Sequence, residues 1–429
     1  MRRVIRGIEQ GWSPVVEDRL AAPDEWGVIK LSAVNRGVFS QNEHKALPAE
    51  AALAVRLEIR AGDVLMTRAN SPELVGDACS VRATRPRLML CDLAYRLSVR
   101  SDILNPIFLT YWLLSQPGRE QVAADARESS RTMVKVSKPH VRSWLVAMPP
   151  IGRQRRIVGF LDRKTSIIDA LIAKKQRLVE LLREKRHALI THAVTKGLDS
   201  RAPMKPSGID WLGDIPAPWT VFPLRRLLRG IERGSSPASE DRPADKGEWA
   251  VLKLGAVVKG RFRPGEHKAL PLGVRPERRC EVHAGDLLLT RSNSPALVGD
   301  ACYVEATPPR LMLPDLIYRL SVHRDLVHPH YLARFLLSAV GRAQVMADAR
   351  ASNMTMAKVS GIHIRSWVMP LPPSLGEQQA IETMLDQKCG AIDDLQYHLD
   401  IHIERLREYR QALITAAVTG KIDVSSEAA

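Results

Sequence analysis

The sequence predicts an α+β protein: two similar mixed α/β domains, each on a twisted sheet, separated by two long antiparallel coiled-coil helices about a pseudo-twofold axis. Three observations predict it. A tandem repeat fills almost the whole chain; short β-branched and apolar runs alternate with Gly and Pro turns; and a heptad pattern follows the double proline of each repeat.

The repeat sets the architecture. RGIEQGWSPVVEDR at 6–19 recurs as RGIERGSSPASEDR at 229–242, an offset of 223 residues. At the same offset NEHKALP falls on GEHKALP, AGDVLMTRANSPELVGDAC on AGDLLLTRSNSPALVGDAC, and RLMLCDLAYRLSV on RLMLPDLIYRLSV. One residue is gained before the closing REKRHALITHAVTKG and REYRQALITAAVTGK. A period this long exceeds that of a solenoid, so each copy is a domain with an appendage. The expected order is a first domain at 1–150, a helix at 151–197, a linker and second domain at 198–373, a second helix at 374–424 and a tail at 425–429.

Within the first domain, strands are expected at 63–68, 78–84 and 93–99, and one helix at 105–126, broken near Pro117 and Gly118. The second copy opens with SGIDWLGDIPAPWTVFPLRRLL at 207–228, whereas the first begins at the equivalent of Leu224 and lacks this lead-in. Either the coding start lies further upstream or other parts of the chain supply the missing edge.

Each heptad helix is expected to run roughly 36 to 40 residues, about 55 to 60 Å. In the first, Leu161, Ile168, Leu182 and Leu189 form one seam, and Ile157, Leu171 and Leu178 the other. In the second, Leu385, Ile392, Leu399, Leu406 and Leu413 form one seam, and Ile381 and Leu395 belong to the other. Ser374 and Glu377 have capping-box spacing, and Gly197 and Gly420 are natural stops. Apolar stripes of this length cannot stand alone in water, so the two helices should bury each other.

Charge narrows the partner. With 63 Lys and Arg against 47 Asp and Glu, the 429-residue chain carries +16, spread along its length. That favours an anionic partner, nucleic acid ahead of a membrane surface, and disfavours a purely structural scaffold. Five cysteines without CxxC spacing, and no apolar run at the N-terminus or of spanning length, lead to an expected reduced, unsecreted, cytoplasmic protein.

At this point the residues resemble a known family. Two α/β domains each followed by a proline-proline turn and a long helix, with RANSPELVG and RSNSPALVG after a Gly-Asp strand start, look like the target recognition domains and spacer helices of type I restriction specificity subunits. IPAPWTVFPLRRLL (215–228) is similar to the opening of such a domain, and GEQQAIETMLD (376–386) to the start of a spacer helix. The resemblance implies a subunit without catalytic activity or cofactor of its own. It would bind double-stranded DNA and two adenine-N6 methyltransferase subunits, and could add translocase-endonuclease subunits. S-adenosylmethionine, ATP and Mg²⁺ would belong to those partners. It further implies a target of two half-sites with an unspecified spacer, and the near-identity of the two copies makes that target close to palindromic.

Candidate DNA contacts follow from side-chain chemistry. Arg68, Asn70 and Ser71, with Arg291, Asn293 and Ser294, stand at strand ends and suit base edges; an Asx turn beside a solvated Arg accounts for them equally. Lys45, Lys268, Lys135 and Lys358 suit phosphates, as do Thr132 and Thr355, although solvated lysines and turn caps are the plainer reading. Lys30 and Lys253 interrupt apolar strands and either face a groove or protect a strand edge. Glu43–His44 and Glu266–His267 invite a metal reading, but neighbours on a strand point to opposite faces and no third ligand follows at a suitable spacing. Nuclease and methyltransferase readings fare worse. No Pro-Asp pair precedes EHK convincingly, and NSPELVG lacks the aromatic residue that a methyltransferase motif needs.

Overall fold

In the computed structural model, residues 1–51, 54–130, 133–353 and 356–424 are described, with 128–130 and 350–353 by backbone alone. The chain forms two compact units, one of residues 1–176 and 400–429, the other of residues 177–399.

Besides a short hairpin of Val34–Asn35 with Val38–Phe39, the first unit has strands β1 (Ile5–Gln10), β2 (Gly27–Ile29), β3 (His44–Ala46), β4 (Val64–Thr67), β5 (Ala69–Asn70), β6 (Ala78–Ser80), β7 (Leu88–Met89) and β8 (Ala94–Val99). They are followed by α1 (Pro106–Leu114), α2 (Gln116–Asp125), β9 (Arg127–Ser130), β10 (Met133–Lys135), α3 (Lys138–Ser143) and α4 (Ile151–Lys196). The main sheet is antiparallel in the order β1-β8-β4-β6. Its β4 is buried on both faces, which explains an unbroken apolar run where alternation would otherwise be expected. Val64 and Met66 join the core of α1 and α2, while Leu65 and Cys79 join a smaller core beneath the β3-β2-β7 sheet.

The expected helix at 105–126 is two helices, parted at Ser115 and not at Pro117 and Gly118. Ser115 is extended and its hydroxyl caps α2 by accepting from Gly118 N, while Pro117 sits harmlessly in the first turn. Gly118 is required by packing: a Cβ there would strike the Trp112 carbonyl. Asn105 caps α1, accepting from Ile107 N and Phe108 N at 2.9 and 3.2 Å. The strand expected at 78–84 ends at Ser80.

The second unit repeats this pattern with β11 (Thr220–Pro223), β12 (Leu228–Arg233), β13 (Ala250–Leu252), β14 (His267–Ala269), β15 (Leu287–Thr290), β16 (Ser292–Asn293), β17 (Ala301–Tyr303), β18 (Leu311–Met312) and β19 (Ile317–Val322). After them come α5 (Pro329–Leu337), α6 (Ala339–Asp348), β20 (Arg350–Asn353), β21 (Met356–Lys358), α7 (Gly361–Ser366), β22 (Val368–Leu371) and α8 (Leu375–Val418). The lead-in segment earns its place here: β11 pairs antiparallel with β22, and Trp219 is buried with its Nε1 donating to Glu377 at 2.9 Å. In the first unit Met1 takes the place of Leu224, with its amine on the Trp144 carbonyl. Among the described residues no strand pairs with 145–148, and Leu145 is 76% exposed.

The helices are longer than expected, 46 and 44 residues, about 66 to 69 Å at 1.5 Å per residue. Helix α4 starts directly after the double proline, with Pro150 O accepting from Arg153 N and Gln154 N. The capping box at α8 is half made. Ser374 Oγ accepts from Glu377 N at 3.2 Å, but the Glu377 carboxylate is taken by Trp219. Gly197 and Gly420 end the helices at φ +74.

Within each unit the helix segments pair antiparallel. In the first, Ile157 and Leu161 share a core with Ile414, Ala417 and Val418, and Arg410 grips Asp169 at 2.8 Å. In the second, Ile190 and Val194 pack with Ile381 and Leu385, while Val179 and Leu182 pack with Ile392 and Leu399. One seam in each helix is as expected: Leu161, Ile168, Leu182, Leu385, Ile392 and Leu399 are buried, and Leu189, Leu406 and Leu413 half-buried. The other seam is corrected. Leu171, Leu178 and Leu395 are 41, 40 and 46% exposed, and the buried row lies one residue later, through Thr165 and Val179 in α4 and Cys389, Ile403 and Ala417 in α8. Positions three and four away flank a first seam alike. The buried side carries fewer leucines: there Thr165 donates to Leu161 O at 2.7 Å, and Arg186 and Arg410 pair with Asp393 and Asp169, while Gln396 Nε2 has no hydrogen-bond partner among the described residues. Ile157 and Ile381, assigned to the displaced seam, are nonetheless buried in the cores of the globular parts. Among the described residues no helix is long and apolar enough to cross a membrane.

Candidate nucleic-acid interface

In the first unit the end of β1, the loop after β4, the middle of the sheet and the start of α3 converge on one open cavity of about 370 Å³. Arg68, Arg127, Lys135 and Lys138 line it, with Gln10, Tyr95 and His140; no Asp or Glu is among its lining residues. Four cations without a carboxylate make a site for an anion or for electronegative base edges.

The backbone builds this cluster from sequence-distant parts. Arg68 follows β4 directly, and its N–H donates to Leu93 O at 2.8 Å while its carbonyl accepts from Val136 N at 3.0 Å. That clamps the Arg68 loop between β8 and the segment after β10. Lys135 is brought alongside by the pairing of β10 with β5, where Lys135 stands opposite Ala69 and Val134 opposite Asn70. Tyr95 lies under the cations, with its hydroxyl donating to Val136 O at 3.3 Å; burial raises its pKa against the opposing bond from Arg68. Ser137 caps α3 by accepting from His140 N. His140 Nδ1 is buried and has no hydrogen-bond partner among the described residues, as is His363 Nδ1 in the second unit.

The loop at 71–77 is held rigid. Arg119 reaches from α2 to Val75 O and Glu73 O at 2.6 and 3.0 Å, and Thr67 Oγ1 donates to Leu74 O at 2.7 Å. Asp77, almost fully buried, accepts from Arg36 N and Ala78 N; burial raises its pKa despite these bonds. Asp300 repeats the arrangement with Lys259 N.

No family model matches the chain. Curated relatives do. Over 174 residues it is 30% identical to the type I restriction enzyme EcoEI specificity subunit of Escherichia coli, covering 40% of this chain and 29% of that one. Over 283 residues it is 23% identical to the EcoKI specificity subunit of Escherichia coli K12, covering 65% and 57%. A putative MjaX specificity subunit of Methanocaldococcus jannaschii is 23% identical over 369 residues, covering 85% and 79%. Over these stretches the chain is similar to type I restriction enzyme specificity subunits. The matches span less than two-thirds of the first two relatives. In fold it is like a chain solved in work on complex assembly and conformational transition of the type I R-M system, with TM-score 0.61 and 18% identity over 96% of this chain and 98% of that one.

The fold brings together only some of the residues singled out from sequence. Arg68 and Lys135 line the cavity; Gln10, Tyr95, Arg127, Lys138 and His140 join them unforeseen. In the second unit Arg291 lies over the Tyr318 ring at 5.9 Å, and Ser292 and Asn293 pair with Lys358 and Ala357. Asn70 and Asn293 each accept from the next backbone N–H, of Ser71 and Ser294, one residue short of the contact that defines an Asx turn. Lys45 and Lys268 stand on the smaller sheets and are ion-paired with Asp18 and Asp241, both at 2.9 Å. Lys30 is exposed and Lys253 half-buried, each at the end of its short strand ahead of a 3-10 turn. Thr132 and Thr355 lie outside the described residues. Both His44 ring nitrogens are used, Nδ1 donating to Gln41 O and Nε2 accepting from Ala21 N, which fits a structural histidine. Three of the unforeseen residues had a signal: Arg127, in ADAR at 124–127 and 347–350, Tyr95 and His140 recur at the repeat offset.

Proposed function

We propose that this chain is the DNA-reading subunit of a type I restriction-modification complex. It recognises a bipartite, near-palindromic site on double-stranded DNA and directs adenine-N6 methylation and restriction carried out by partner subunits. The observation that carries this reading is the carboxylate-free basic cavity at Arg68 and Lys135, whose key residues recur at Arg291 and Lys358. Such a surface suits phosphate contacts that position the protein and base contacts that specify sequence. The chain itself is non-catalytic in this reading; S-adenosylmethionine, ATP and Mg²⁺ reside on two modification subunits and on translocase-endonuclease subunits, in the cytoplasm. A complex with modification subunits alone would read DNA in the same way. The exposed Leu171 and Tyr409 of one unit, and Leu178, Leu395 and Tyr397 of the other, are apolar helix surface suited to those subunits.

Co-expression with its modification subunit, followed by mapping of N6-methyladenine across host DNA, tests this. A single split motif with nearly inverted halves is expected; two unrelated halves would contradict the near-palindrome. Methyl transfer or cleavage by the pure chain would contradict the non-catalytic role.

A further inference from the structure

The residues that line the cavity can be followed into the second copy at the repeat offset, where three of them change. Arg68, Tyr95, Lys135 and His140 recur as Arg291, Tyr318, Lys358 and His363, but Gln10 is replaced by Arg233. The two differing residues occupy the same place. Gln10 closes β1 opposite Tyr95, and Arg233 closes β12 opposite Tyr318.

Their surroundings fix what each can offer. Gln10 Nε2 donates to Asp92 O at 3.2 Å, which leaves its second N–H and its Oε1 to a ligand. A neutral amide among cations contributes little to phosphate binding, whereas one donor beside one acceptor matches adenine N7 and N6. Arg233 is anchored differently. Its Nη2 meets Asp315 Oδ2 at 2.9 Å, and Asp315 is itself held by Ser236 Oγ at 2.6 Å. A guanidinium braced on one side by a carboxylate presents its remaining N–H groups in a fixed fork, which matches guanine O6 and N7. In the first unit the equivalent Asp92 carboxylate serves only Ser13, at 2.6 Å, among the hydrogen bonds found for it. Lys138 also gives way to Gly361 and Pro139 to Ile362; Lys138, exposed at the start of α3, is a flexible cation suited to a phosphate, and neither Pro139 nor Ile362 has a hydrogen-bonding side chain.

We infer that the two half-sites break their symmetry at one base pair, with adenine facing Gln10 and guanine facing Arg233. Residues identical in both copies read the shared part; this pair reads the difference. The inference rests on the DNA-reading role proposed above.

The test is selection from a randomised duplex library by the full chain in complex with its modification subunit, for the parent protein, Gln10→Arg and Arg233→Gln. The parent should enrich a split motif carrying A in one half where the inverted other half carries G. Gln10→Arg should turn that A into G, and Arg233→Gln that G into A, each switching preference about 10- to 100-fold. Both side chains lie at strand ends in contact with solvent, so the fold should tolerate either change. A parent motif with the same base in both halves, or variants that enrich the parent motif unchanged, would overturn the inference while leaving the DNA-reading role intact. No enriched motif from the parent would overturn that role and the inference with it.

Discussion

Gln154 is wholly buried and spends every polar atom on the globular part of its unit. Its Nε2 donates to Ile103 O and Pro149 O at 3.0 and 2.8 Å, and its Oε1 accepts from Asn105 N at 2.8 Å. Gln378 repeats this with Leu326 O and His328 N. The first turn of each long helix is thereby bonded to the cap of α1 or α5. Replacing Gln154 by Ala takes the partner from three backbone groups of half-buried residues, so the first unit should lose about 1 to 3 kcal/mol of stability in chemical denaturation. An unchanged transition would show that the bonds carry nothing. At this scale the sequence revealed residue types but not partners. Lys45 reads as a free phosphate contact until Asp18 is seen beside it, and Gln10 has no motif of its own until the fold sets it against Tyr95.

The helices show why element existence was legible and facing was not. Leucines every seven residues mark a helix and one seam, but the second seam can lie on either flank. Composition favoured Leu171, Leu178 and Leu395; burial favours the row with Thr165, Val179 and Ile403, in which Thr165 bonds its own helix and Arg186 pairs with Asp393. The two sides predict different costs. Leu182→Ala removes a buried contact to Val179, Ile392 and Leu399 and should cost about 2 kcal/mol or more, whereas Leu178→Ala should fall within about 0.5 kcal/mol. Equal effects in thermal denaturation would restore the leucine seam. The break at Ser115 escaped notice because Pro117 and Gly118 are the usual punctuation, yet an extended Ser that caps the next helix stops the first one earlier.

At the scale of the molecule, duplication was the most legible feature, because a fixed offset needs no knowledge of conformation. It foretold two like folds, and strand order agrees at the repeat offset, as do Arg68, Tyr95, Lys135 and His140 of the cavity with Arg291, Tyr318, Lys358 and His363. What it could not show was how the copies differ in use. The second has β11 along β22, and the first leaves 145–148 without a paired strand among the described residues. Footprinting of the modification complex on its target, with Arg68 and Lys135 both changed to Ala, tests the account most directly. Each copy should serve its own half-site, so protection should vanish over one half of the target and persist over the other; loss over both halves equally, or over neither, would contradict it.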